Sequence, residues 1–189
     1  MKDEAGIERP TVRRVITAQR DGKNVVAIDD QVLPIVIGRG PDSGQQLWQV
    51  WGSDGIPQLP NDATDRYANT LFAPPGGYRV QVCEFPAVGA NIEPRGEWPE
   101  LGTIIGRTDT NTVSDKLGDL TDSVHHYTNS VDIFVVLEGE IHVGMDDGVE
   151  VTVRAGEVLV QNGAAHSWRR GSVAGRVCMI AVGAKRADG

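Results

Sequence analysis

Four histidines, His125, His126, His142 and His166, are the side chains in this sequence best suited to proton transfer or metal ligation. In an extended segment alternate residues share a face. His126, Thr128, Ser130 and Asp132 then point one way, and continuing the count adds Phe134 and Val136, which makes that face the inward one. An imidazole, a hydroxyl and a carboxylate turned into an apolar interior carry a desolvation cost that something must offset. A metal ion offsets it, and so does a dense hydrogen-bond network with ordered water. Trp168 lies two residues beyond His166 and shares its face, either as an aromatic wall for a planar substrate or as a core side chain. His125 is expected to face outward unless a bulge swings it in. Tyr127 alternates with the inward set and faces out. His142 reads as a satisfied structural histidine. Arg169 and Arg170 read as solvated or ion-paired, with bidentate capture of a substrate carboxylate as the alternative.

These side chains need a rigid frame, and the chain punctuates itself as an all-β protein. It has 23 glycines and 10 prolines, short Val- and Ile-rich segments between them, and no long stretch of helical period. Thr11–Thr17 and Asn24–Ile28 flank Asp21-Gly22-Lys23, a natural hairpin turn. Leu47–Trp51 and Tyr78–Phe85 are further strands. From Val131 the pattern tightens into Val131–Leu137, Ile141–Met145, Val149–Val153, Val158–Gln161 and Arg176–Val182, linked by turns at 138–140, 146–148 and 154–156. Five such strands need closure or a facing sheet to hide their edges, so a small barrel or jelly roll is expected. Residues 91–124 differ: rich in Gly, Asp and Thr, they hold seven acids against three bases and form a long irregular segment or lid.

Composition narrows the function. The 189 residues suit a single domain, 1–189, with N-terminal strands over 1–90, the irregular segment, and a core at 125–183. A formal net charge of −8 repels phosphate backbones, which argues against nucleic acid as a partner. No apolar run approaches the roughly 18 residues of a membrane span. The start, MKDEAGIERP, lacks the apolar stretch of a secretory signal, so a cytoplasmic location is expected, with Cys83 and Cys178 as reduced, packed thiols.

The run from His126 to Glu140 resembles the first motif of the cupin superfamily, in which a His-x-His pair is followed by an acid and, after six residues, a glycine. Asp132 and Gly139 keep that spacing. Gly156 to His166 resembles the second motif, a glycine, a strand and a Gly-x-x-His loop. The resemblance is to small single-domain cupins and covers residues 125–183. It implies a jelly-roll barrel (a double-stranded β-helix) and a divalent metal, Zn, Fe, Mn or Ni, held by His126, Asp132 and His166. The second motif histidine is replaced by Thr128, the acid is Asp instead of Glu, and the second motif is one residue short, with Asn162 where proline is common. Two imidazoles and a carboxylate leave coordination positions open for water or substrate. With Asp132, His126 and His166 as catalytic groups and Thr128, Phe134 and Trp168 in the substrate pocket, the expected activity is a metal-assisted lyase or isomerase reaction on an oxygenated small molecule. An Fe(II) dioxygenase and a ligand-binding cupin without metal are the alternatives. The edges of the N-terminal strands, and the habit of cupin relatives, lead us to expect a homodimer.

Overall fold

The computed structural model of the chain describes residues 10–37, 45–64, 70–90, 126–185 and 187. The segment expected to be irregular, 91–124, and His125 lie outside them.

Eleven strands form three antiparallel sheets among these residues. The largest has the order β3 (Ile35–Ile37), β4 (Gln45–Ser53), β5 (Tyr78–Phe85), β11 (Gly175–Gly183), β6 (Ser130–Glu138) and β9 (Val158–Asn162). Facing it is a three-stranded sheet, β10 (Ser167–Arg169), β7 (Glu140–Gly144) and β8 (Glu150–Arg154). The strict alternation of β5, β6 and β11 turns one face of each inward. Cys83, Phe85, Phe134, Val136, Val177 and Met179 meet Ile141 and Val153 of the smaller sheet in one core.

Apart from the β7–β8 hairpin, each turn in the second half carries the chain from one sheet to the other. β6 to β7, β8 to β9, β9 to β10 and β10 to β11 all cross. Such alternation between facing sheets is the jelly-roll solution to the edge problem, and the barrel expected from the sequence is present. The expected strands are found with boundaries shifted by a few residues. β3 and β10, three residues each, were too short to show a pattern.

The N-terminal hairpin, β1 (Val12–Arg20) and β2 (Lys23–Val32), is its own sheet. Asp21 and Gly22 both adopt positive φ, 49° and 72°, as a tight two-residue turn requires. The hairpin lies against the barrel: Trp48 Nε1 donates to Pro10 O at 3.1 Å, Arg14 Nη1 to Val50 O at 3.2 Å, and the Gln19 amide to Asn61 O at 3.0 Å.

One corner explains a motif glycine. Gly139 sits at φ +63°, and a Cβ there would lie 1.8 Å from the Ala174 carbonyl oxygen. Gly156, the first glycine of the second motif, has φ +87° but nothing within 4 Å. The two demand glycine for different reasons, contact plus conformation at 139 and conformation alone at 156. Gly139→Ala is therefore expected to lower unfolding free energy by roughly 2–4 kcal/mol, and Gly156→Ala by about 1 kcal/mol. Urea titration of both variants checks the order; equal losses would remove the steric account.

Candidate active site

His126 and His166 are brought together by the backbone. The two residues form an isolated antiparallel bridge in which each amide donates to the other's carbonyl at 2.8 Å. Both are buried, and their ring centroids lie 4.5 Å apart at an interplanar angle of 50°. His166 Nδ1 is 2.9 Å from the Ala164 carbonyl oxygen. A carbonyl only accepts, so Nδ1 carries the proton and, in the neutral ring, Nε2 carries the lone pair. The regular strand expected over 126–132 is not formed, since β6 begins at Ser130. The alternation nevertheless survives: His126, Thr128, Ser130 and Asp132 are buried, while Tyr127, Asn129 and Val131 are half-buried.

Asp132 is 2% exposed. Its Oδ2 accepts a 2.8 Å hydrogen bond from Thr128 Oγ1, and its Oδ1 has no hydrogen-bond partner among the described residues. Burial pushes its carboxyl above the ordinary carboxylate range, and the Ser130 and Thr128 hydroxyls pull it partly back. Thr128, standing where the resemblance has a histidine, thus serves the acid.

His126, Thr128, Asp132, Phe134, His166 and Trp168 all line one cavity of about 60 Å³. Trp168 packs its ring against Phe85 and Phe134, each with centroids 4.9 Å away, and stands edge-on to His166 at 5.2 Å. It is an aromatic wall of the cavity and a core side chain at once. Further lining comes from the first half of the chain: Leu47, Leu71, Phe72, Cys83 and Phe85. Sequence reasoning missed these. The alternation of β5 could have flagged Cys83 and Phe85, whereas Leu71 and Phe72 sit in a stretch without period. Burial drives the Cys83 thiol far above its usual range, so it is neutral and inert as a nucleophile.

The metal expected at His126, Asp132 and His166 finds no assembled ligand set. The three share the cavity, but among the described residues no three His, Cys, Asp or Glu side chains are grouped so as to hold a metal ion. Thr128 fills the position of the absent imidazole and engages the carboxylate itself. His142 faces away from this site, held by Glu140 at 3.1 Å and Thr152 at 3.1 Å. Arg169 reaches Glu150 at 3.6 Å, as a surface ion pair.

Both motifs thus fall on the crossing strands of a jelly roll and deliver residues 126, 132 and 166 to one interior wall. The chain folds as a jelly-roll barrel. No family model matches the sequence. Over 66 residues it is 39% identical to phomopsin biosynthesis cluster proteins C' and D of Diaporthe leptostromiformis, a stretch covering 34% of this chain and 35% of either relative, so about a third of their length is matched. Among solved structures it is similar to a Salmonella typhimurium protein assigned to ethanolamine utilization as protein Q (TM-score 0.43, 13% identity, 93% of this chain and 99% of that one). It is also similar to a cupin-2 domain containing protein of Shewanella frigidimarina (0.33, 15%, 55% and 68%) and to ectoine synthase of P. lautus (0.37, 10%, 79% and 70%).

The buried acid of the barrel makes a prediction with a definite sign. A carboxyl raised by folding binds more protons folded than unfolded, so its contribution to stability falls as pH rises through the window above the ordinary carboxylate value. Asp132→Asn keeps an acceptor for Thr128 and removes the ionisation. At pH 7 the variant is expected to melt at or above the wild-type temperature, with the difference closing as pH drops toward the ordinary carboxylate range. A variant less stable at pH 7 than at pH 4, relative to wild type, would contradict this.

Proposed function

We propose that this cupin barrel is a proton-transfer enzyme of the lyase or isomerase type, acting on a small oxygenated compound. The observation that supports the reading is the pair of buried imidazoles, 4.5 Å apart on one cavity wall with a defined tautomer at His166. His166 Nε2 acts as base toward a C–H next to a carbonyl. The C–H electron pair moves toward the carbonyl, and His126, protonated, delivers its proton to the departing or returning oxygen. The pair ends with the proton exchanged from one ring to the other, which suits dehydration, isomerisation or cyclisation. Asp132 and Thr128 supply polar contacts to the substrate oxygen, and Phe134 and Trp168 exclude water. At about 60 Å³ the space admits a substrate of few atoms, or the reactive end of a larger one.

Incubation with small 2-hydroxy and 2-keto acids in deuterated water, read by mass spectrometry, tests this directly. Wild-type protein should incorporate solvent deuterium at the carbon beside the carbonyl, and His126→Ala or His166→Ala should slow it by about 10²-fold or more. Exchange that requires added Zn, Fe, Mn or Ni would move the reading to a metal-assisted site, with dioxygenase chemistry included if oxygen is consumed. Binding without exchange would favour a non-catalytic ligand-binding cupin, a reading supported by the small cavity and by Thr128.

A homodimer belongs to the same proposal. The outer face of the large sheet exposes Val158, Val160 and Val182 by 41–56%, an apolar surface that suits a second copy. Light scattering should give twice the 20.3 kDa chain mass; a monomer would sink the idea.

A further inference from the structure

A second, larger cavity lies outside the barrel. It measures about 440 Å³ and is bounded by the N-terminal hairpin, the end of β4, the loop at 54–63 and the start of β5. That volume falls within the roughly 300–1,000 Å³ of small-molecule sites, several times the space between the histidines. Trp51 and Tyr78, both half-buried, supply aromatic surface. At its rim stand Ile56 and Leu59, 81% and 85% exposed, the two most exposed of the large apolar side chains described. Apolar groups held out in water around an aromatic-lined hollow mark a binding surface.

The walls are tied to one another. The Gln19 amide donates to Asn61 O at 3.0 Å and Arg20 Nε to Asp62 O at 3.0 Å, joining hairpin to loop. Arg79, fully buried, donates to Ser53 O at 2.9 Å and pairs with the Asp54 carboxylate, joining loop to β5. That ion pair also neutralises Asp54, the one formally charged residue lining the cavity among the described residues, none of the others being Lys or Arg. The remaining polar lining among the described residues, Thr17, Ser53, Gln58, Asn61 and Tyr78, offers neutral hydrogen-bonding groups.

We infer that this cleft is a second ligand site, selective for neutral, planar aromatic molecules carrying a hydrogen-bonding group. Aromatic stacking on Trp51 and Tyr78 supplies affinity, and a lining that holds no Lys or Arg among the described residues discriminates against anions. The site is independent of the barrel chemistry proposed above.

Indole and benzoate are the probes, titrated against the full chain by ligand-observed NMR. Indole should bind saturably, with benzoate at least tenfold weaker. The double variant Ile56→Glu/Leu59→Glu, which alters exposed side chains only, should weaken indole at least tenfold with an unchanged circular-dichroism spectrum. His166→Ala should leave indole binding as it is. Absence of saturable binding, as when a second copy or another stretch of chain fills the cleft, overturns the inference. So does affinity that the rim variant leaves unmoved, or that disappears in His166→Ala, since the probe then sits in the barrel. Benzoate matching indole overturns the selectivity for neutral ligands.

Discussion

The site depends on a single backbone contact, the reciprocal bridge between residues 126 and 166. Neither residue lies inside a long ladder: one precedes β6, the other precedes β10, and the two strands belong to different sheets. The bridge therefore joins the sheets at one end of the barrel and sets the imidazoles side by side, tilted by 50°, in the same act. A pair of isolated histidines on flexible loops would pay in ordering entropy for every encounter; here folding has already fixed them. The Ala164 carbonyl adds the proton location at His166.

Around that contact, the large sheet divides its inner face into two chemistries. Phe85, Phe134, Val177 and Met179 make one part apolar. Arg79, Gln81, Asp132 and Gln161 make the other polar, each at most 3% exposed. Asp132 faces Gln161 across the β6–β9 ladder, and neither Asp132 Oδ1 nor Gln161 Nε2 has a partner among the described residues. Buried polar atoms of this sort are costly, and Asp132 among them lines the same cavity as both histidines, which suits an oxygen-bearing molecule or ordered water there.

Much of the barrel was legible in the chain because its signal is local. Alternation in 131–137 and 176–182, glycines at 139 and 156, and the Asp-Gly turn at 21–22 each constrain a few neighbouring residues. The inward set His126, Thr128, Asp132 and Phe134 followed from period two alone, and it held although 127–129 are not strand. What could not be read is whatever depends on the partner across space. That Thr128 would bond to Asp132 is a matter of side-chain rotamers; that Leu71 and Phe72 would wall the cavity is a matter of how an aperiodic stretch folds back. The shared cavity was anticipated, while among the described residues no grouped set of metal ligands is present, because motif spacing fixes which face a residue occupies and not the last few ångströms between donors.

The buried Arg79 has a consequence of its own. Its guanidinium holds the carbonyls of Ser53, Thr70 and Tyr78 as well as the carboxylate of Asp54. A guanidinium cannot shed its proton to escape an apolar setting, so the residues around it form an inherited unit: position 54 cannot drift to a neutral side chain while position 79 stays cationic, except through an intermediate with a stranded charge. Divergence among descendants of this chain should consequently alter the loop rim freely while 54 and 79 change together or not at all.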